Sequence, residues 1–202
     1  MNDNSPRLHD ILTRLHDLEQ ELETELDQML EEKREQFRYD LHQGRVAFDE
    51  EVRKLQRQYR IGLWPYIRDA RLTMLLSAPV IYSLMLPFAL LDLMVTVYQA
   101  VCFPIYRIAK ARRRDFVIID RQHLSYLNGL EKLNCMYCGY GNGVLAYVRE
   151  VAARTEQYWC PIKHARRTLD LHRHSTEFSD YGDAEAYRKR LAELRAALQR
   201  IE

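Results

Sequence analysis

One long stretch of this chain carries no charge, although 29% of all residues are charged. From Leu72 to Leu91 there are twenty residues without an Asp, Glu, Lys or Arg. A helix of that length rises about 30 Å, which matches the hydrocarbon core of a bilayer. After Asp92 the apolar sequence resumes and continues to Tyr106. The run predicts a membrane-embedded segment. The alternative is a buried helix pair, for which the remaining chain offers little apolar surface.

Prolines and flanking charges predict how this segment, residues 68–114, enters the membrane. Pro79, Pro87 and Pro104 each remove a helix hydrogen bond. We therefore expect a hairpin that turns near residues 87–92, or a re-entrant wedge in one leaflet. Positive charge on both flanks predicts that both ends lie in the cytoplasm, at the inner membrane. The flanking residues are Arg68 and Arg71 before the run, and Arg107, Lys110, Arg112, Arg113 and Arg114 after it.

The N-terminal arm, residues 1–67, has a heptad pattern of apolar residues. A narrow apolar seam between charged flanks favours a long, coiled-coil-like helix or a helical hairpin. Two partners for the seam stay open: the rest of this chain, or a second copy in a homo-oligomer. The net charge of the whole chain is +1, so we expect no nucleic-acid partner. The seam consists of Leu8, Ile11, Leu15, Leu18, Leu22 and Met29.

The segment 115–181 is expected to be a small polar α+β module. "DFVIID" at 115–120 is typical of a short strand, and "VLAYVREVAARTEQY", beginning at Val144, has helical spacing. The tail, residues 182–202, is predicted to be a charged amphipathic helix with Asp183 as its N-cap. The predicted fold class is therefore mainly α.

Three of the four cysteines lie in two stretches that read as turns, "CMYCGY" and "YWCPIKHA". The spacing of Cys135 and Cys138 lets two thiolates bind one ion, and Cys160 with His164 repeats the arrangement. A set of three thiolates and one imidazole suits tetrahedral Zn²⁺ in a structural role. The alternatives are redox-active iron and thiols without metal.

These two stretches resemble rubredoxin-type and zinc-ribbon-type metal knuckles. "CMYCGY" is similar to the CxxCGY half of a rubredoxin, and "WCPIKH" is similar to the WxCPxC half with a histidine as its last ligand. The resemblance implies that Cys135, Cys138 and Cys160 are knuckle ligands. The whole chain also resembles uncharacterised bacterial membrane-associated proteins that carry this cysteine motif.

The sequence has no glycine-rich phosphate loop, no GxSxG nucleophile elbow and no HExxH motif. The leading hypothesis is a non-enzymatic, membrane-anchored zinc adaptor whose N-terminal arm recruits itself or another protein. One alternative is a rubredoxin-like redox protein that uses the same four ligands around iron. Another is an enzyme acting on lipid, with a pocket between the apolar segment and residues 120–156.

Overall fold

The computed structural model describes residues 5–42, 45–70, 72–166 and 172–199. Arg71 and the last three residues of the predicted C-terminal helix lie outside the described residues. The chain is mainly helical, as predicted, and divides into two units. Unit 1 consists of residues 1–61 and 123–127, and unit 2 of residues 62–122 and 128–202.

Unit 1 contains the predicted long helix and a hairpin that the sequence analysis missed. Helix α1 spans Ser5–Phe37, strands β1 (Tyr39–His42) and β2 (Arg45–Phe48) pair antiparallel, and α2 spans Glu50–Gln58. The α1 helix ends because Arg38 adopts a positive φ of 51°, which turns the chain into β1. The Arg38 guanidinium also donates to Asp49 at 2.6 Å, which closes the base of the hairpin. The coiled-coil pairing of α1 stays a prediction.

Unit 2 contains the other helices. They are α3 (Leu63–Asp69), α4 (Leu72–Ser83), α5 (Met85–Tyr106), the single turn α6 (Arg113–Phe116), α7 (Gly129–Trp159) and α8 (Ala184–Ala197). Two 3-10 turns, Arg121–His123 and Arg173–Glu177, precede α7 and α8.

The predicted hairpin near residues 87–92 is wrong. Leu84, between α4 and α5, keeps a right-handed helical conformation, so the chain does not reverse there. Helices α4 and α5 therefore follow each other through Leu84, and Leu75–Tyr106 is one helical run of 32 residues, long and apolar enough to cross a membrane. Only 6% of its most apolar window is buried, which also contradicts the alternative of a buried helix pair. Pro87 is accommodated because it lies in the first turn of α5, where helix N–H groups have few intrahelical acceptors.

The predicted short strand at residues 115–120 is absent from the structure. Residues 113–116 form α6, and the only bridge among the described residues of this segment joins Ile162 to Ser179. The backbone at Phe116, Val117 and Ile118 packs against glycines of α7 instead of pairing with a strand. This contact leaves "DFVIID" as a covered loop.

Two predictions about helices are confirmed. The residues from Val144 to Tyr158 are helical within α7, which begins with a capping box between Asn128 and Glu131. Helix α8 begins after Asp183, whose side chain accepts from the Ala186 N–H at 2.8 Å.

The core of unit 2 forms where α5, α7 and α8 meet. Tyr98 and Phe103 of α5 make an edge-to-face pair with ring centroids 5.9 Å apart. Such aromatic pairs stabilise a fold beyond the area that they bury. The buried members of the core are Phe103, Ile108, Ala111, Tyr147, Val151 and Leu198.

Candidate membrane interface and its polar supports

One side of α5 is apolar and exposed along its whole length. Leu86 is 77% exposed, and its neighbours on the same side recur at the three- and four-residue spacing of a helix face. Exposed apolar surface of this extent marks a membrane or protein interaction site. We name this surface the apolar face; it consists of Leu86, Leu90, Leu93, Met94, Val97, Val101 and Ile105.

The opposite side of α5 packs on α7, and the two helices run parallel. Near the start of the contact Phe88 lies against Tyr137, with ring centroids 6.5 Å apart. Near its end Tyr106 lies against Tyr158, with centroids 5.1 Å apart. Helix α7 therefore covers the side of α5 that faces away from the apolar face.

Asp92, within the apolar helix, is part of this contact. The Arg113 guanidinium donates to both carboxylate oxygens of Asp92, at 2.8 and 2.6 Å, and the Tyr140 hydroxyl donates at 2.9 Å. A carboxylate that is only 7% exposed is tolerated because it is paired and hydrogen-bonded. Asp92 therefore fastens α6 and α7 to α5.

The same contact holds the connecting segment, residues 107–118. The Gln99 amide accepts from the Ala111 N–H at 2.6 Å and donates to the Ala111 carbonyl at 3.2 Å. Arg154 of α7 donates to the Ala109 carbonyl at 2.7 Å. These bonds satisfy backbone groups that would otherwise be buried without partners, and so they fix the segment across α5 and α7.

The glycines of "CGYGNG" are helical and serve close packing. A Cβ on Gly143 would lie 2.7 Å from the Phe116 carbonyl oxygen and 2.8 Å from Val117 Cα. A Cβ on Gly139 would lie 3.2 Å from the Ile118 carbonyl oxygen. Two glycines four residues apart let another backbone approach a helix closely. Gly139 is the glycine of "CMYCGY", and its place inside the continuous helix α7 means that it does not belong to a metal knuckle.

Gly143→Ala is expected to destabilise unit 2 by about 2 kcal/mol, because the contact with Phe116 and Val117 is backbone and yields poorly. Gly129→Ala is the matched control, since a Cβ there meets nothing within 4 Å and alanine favours a helix. Thermal unfolding followed by circular dichroism in detergent checks both variants. If Gly143→Ala melts at the same temperature as Gly129→Ala, the close-packing role of Gly143 is contradicted.

A second polar cluster ties the 173–177 turn to α7. Arg154, Arg173 and His174 place donor nitrogens 2.8, 2.7 and 3.3 Å from one oxygen of Glu150. Burial raises the pKa of Glu150, but the hydrogen bonds from His174, Arg154 and Arg173 outweigh it and hold the pKa of this carboxyl well below its usual range. Glu150 is therefore ionised in the folded protein.

Glu150→Gln is expected to cost about 3 kcal/mol of stability, because it leaves the buried Arg154 without its countercharge. The pKa of Glu150 is lowered in the folded protein, and this gives the sign of the pH dependence. The ionised Glu150 stabilises the fold above the ordinary carboxyl pKa of 4.5, and this stabilisation is lost as the pH falls below that value. Wild type should lose melting temperature more steeply than Glu150→Gln as the pH falls from about 5 to about 3. Asp180→Asn, which removes an exposed ion pair with Lys163, is the control. Parallel pH profiles for wild type and Glu150→Gln would refute this role.

The four predicted metal ligands are not brought together. Cys135 and Cys138 lie on α7, Cys160 follows its last residue, and His164 is exposed beyond it. Since α7 is continuous, Cys138 and Cys160 are separated by about 33 Å along the helix axis. Among the described residues, no three His, Cys, Asp or Glu side chains form a group that could hold a metal ion.

The resemblance to rubredoxin-type knuckles is therefore wrong. Its physical reason is that residues 129–159 form one helix, whereas a knuckle requires each ligand pair to lie on a turn. Zinc, and iron as its alternative, stay predictions without an assembled site in the part of the chain that the structure describes.

The predicted lipid pocket has a partial counterpart in an open groove of about 500 Å³ between α5 and α7. Its walls are mainly apolar, and Glu156 at its edge lies 2.8 Å from His172. The groove is lined by Val95, Tyr98, Val148, Val151, Ala152, Thr155, Glu156, Trp159 and Cys160. An activity on lipid stays a prediction.

Two features of this interface were missed in the sequence, although each has a signal there. Asp92 within an apolar run indicates a buried ion pair, because an unpaired carboxylate is costly in such a helix. Gly139 and Gly143 have the four-residue spacing of a close helix contact.

Compared with family models, curated proteins and solved structures, the chain matches none of them.

Proposed function

We propose that this protein is a non-catalytic adaptor that associates with the cytoplasmic surface of the inner membrane through the apolar face of α5. The observation that carries the proposal is the exposure of a 32-residue apolar helix, whose most apolar window is only 6% buried. Exposing so much apolar surface to water is unfavourable, and a lipid leaflet covers it without a protein partner.

The packing of α7 favours an in-plane orientation over a crossing. Helix α7 runs beside α5, so a crossing would carry α7 through the bilayer as well. Its exposed side includes Asn142 and Arg149, and an arginine near the bilayer centre costs at least about 3 kcal/mol. In the proposed orientation the apolar face enters one leaflet and α7 lies above it, which leaves both termini in the cytoplasm.

Basic side chains at the C-terminal end of α5 support the same orientation. Arg107, Lys110, Arg112 and Arg114 are all exposed in or beside the connecting segment. Each basic residue near an anionic leaflet contributes about 1 kcal/mol to binding. These residues would meet lipid headgroups while the apolar face enters the acyl chains.

Reconstitution tests this proposal. Purified protein is mixed with phosphatidylcholine vesicles, with and without phosphatidylglycerol, and the detergent is removed. We expect the protein to float with both vesicles, to bind the anionic ones more tightly, and to resist alkaline carbonate. Protein that stays monomeric in the aqueous phase would refute membrane association.

The adaptor role rests on the structural role of the buried carboxylates and on the exposed seam of α1. The buried carboxylates Asp92 and Glu150 bind side chains of this chain and hold its segments together. Unit 1 presents the long helix α1 with an exposed apolar seam, which is typical of a helix that recruits a partner. Binding, and no reaction, is the activity that these features support.

A further inference from the structure

The apolar seam of α1 is more continuous than the heptads indicate. Glu25 interrupts the heptad, but Leu26 takes its place on the same side of the helix. Successive seam residues are then four, three, four, four and three positions apart. This spacing keeps them in one stripe along a straight helix. The α1 seam, which is 43–60% exposed, consists of Ile11, Leu15, Leu18, Leu22, Leu26 and Met29. It is about 27 Å long.

The polar surface around this seam is mainly acidic. Between Arg14 and Lys33 there is no Lys or Arg. The same interval contains eight carboxylates, which are Asp17, Glu19, Glu21, Glu23, Glu25, Asp27, Glu31 and Glu32. A partner helix on the seam therefore meets negative charge along both of its edges.

This charge distribution disfavours a second copy of α1 as the partner. In a parallel pair the acidic interval of one α1 helix lies beside the same interval of the other helix. In an antiparallel pair that aligns the two seams, Ile11 lies opposite Met29, so the acidic side chains between residues 17 and 23 still face one another, and only Arg14 meets acidic neighbours. Like charges face each other in both orientations, which is destabilising.

The membrane surface is disfavoured for a related reason. Helices that lie on a bilayer through an apolar stripe carry Lys and Arg on their polar side, which attract anionic headgroups. The acidic interval of α1 would be repelled by the same headgroups.

We propose that the α1 seam binds a basic amphipathic helix of another protein, about 20 residues long, with an apolar stripe flanked by Lys or Arg. The apolar stripes provide burial, and the basic flanks pair with the carboxylates of α1. This inference rests on the proposed adaptor role and specifies the chemistry of its partner.

The test uses the full chain in neutral detergent and a fluorescein-labelled synthetic peptide of three heptads, with Leu at positions a and d and Lys at e and g. We expect saturable binding by fluorescence anisotropy, with an affinity that falls at least tenfold between low and high salt. Leu18→Gln/Leu22→Gln, at two exposed seam positions, should weaken binding about 100-fold and leave the helix content unchanged. The matched control is Leu55→Gln, at an exposed apolar position of α2.

Two further peptides separate the seam from charge alone. A scrambled peptide of the same composition, without the apolar stripe, should bind at least tenfold more weakly, and a peptide with Glu in place of Lys should not bind. Equal binding of the scrambled peptide, or no loss in Leu18→Gln/Leu22→Gln, would overturn the proposal. A wild-type dimer that this double variant converts to monomer, measured by sedimentation, would assign the seam to a second copy and would also overturn it. Because no bilayer is present, these outcomes are independent of whether the apolar face enters lipid.

Discussion

Leu86→Glu/Leu93→Glu is expected to release the protein from vesicles, with a partition coefficient at least 100-fold below that of wild type. Each leucine of the apolar face contributes about 1.5–3 kcal/mol when lipid covers it, and each glutamate adds a charge that the acyl region disfavours. Both side chains are more than half exposed, so the substitutions should leave the fold unchanged. Vesicle flotation measures the partition, and circular dichroism checks the fold.

The matched control for this variant is Leu55→Glu, which makes the same chemical change at a position 58% exposed on α2. It should float like wild type, because α2 is not part of the apolar face. Retention of Leu86→Glu/Leu93→Glu on vesicles would show that the apolar face does not contact lipid.

Asp92→Ala is expected to destabilise unit 2 by about 2 kcal/mol and to loosen the connecting segment. Its removal leaves the Arg113 guanidinium and the Tyr140 hydroxyl without their shared acceptor. Asp92 is mostly buried and Arg113 is partly exposed, so water replaces the lost hydrogen bonds only in part. Trypsin should cleave after Arg112, Arg113 and Arg114 faster than in wild type, because local opening exposes these sites. Melting temperature and cleavage rate are both measured in detergent.

Two controls separate the loss of the Asp92–Arg113 pair from a general loss of charge. Asp115→Ala removes an exposed carboxylate 3.8 Å from Arg114 and should change stability by less than about 1 kcal/mol. Asp92→Leu/Arg113→Met replaces both partners by apolar groups and should recover most of the lost stability. If Asp92→Ala melts like Asp115→Ala, the ion pair does not hold the segment.

Local patterns predicted the helices well, because helix formation follows from apolar spacing and caps. The α1 seam and the Asp183 cap of α8 are visible in the sequence and are present in the structure. The apolar run at 72–106 was also identified in the sequence, and the structure shows there one helix long and apolar enough to cross a membrane, although the predicted hairpin is wrong.

The errors arose where a local motif has a long-range explanation. Asp92 was interpreted as part of a hairpin turn. Its partner Arg113 lies 21 residues away in the sequence, and their contact holds Asp92 within a continuing helix. Gly139 beside Cys138 looked like a metal knuckle, whereas the reason for the glycine is a backbone oxygen of Ile118. The β1–β2 hairpin was missed because residues 38–49 are rich in charge and match no strand pattern. Its base is closed by the pairing of Arg38 with Asp49, a contact that local patterns do not predict.

The depth of two sites in the bilayer tests the central claim most directly. In a variant whose four cysteines are replaced by serine, a nitroxide is placed at position 93 on α5 or at position 142 on α7, and the protein is reconstituted into vesicles. In-plane association predicts high oxygen and low nickel-chelate accessibility at position 93, and the reverse at position 142. A water-accessible label at position 93, or labels at both positions deep in the hydrocarbon region, would contradict it.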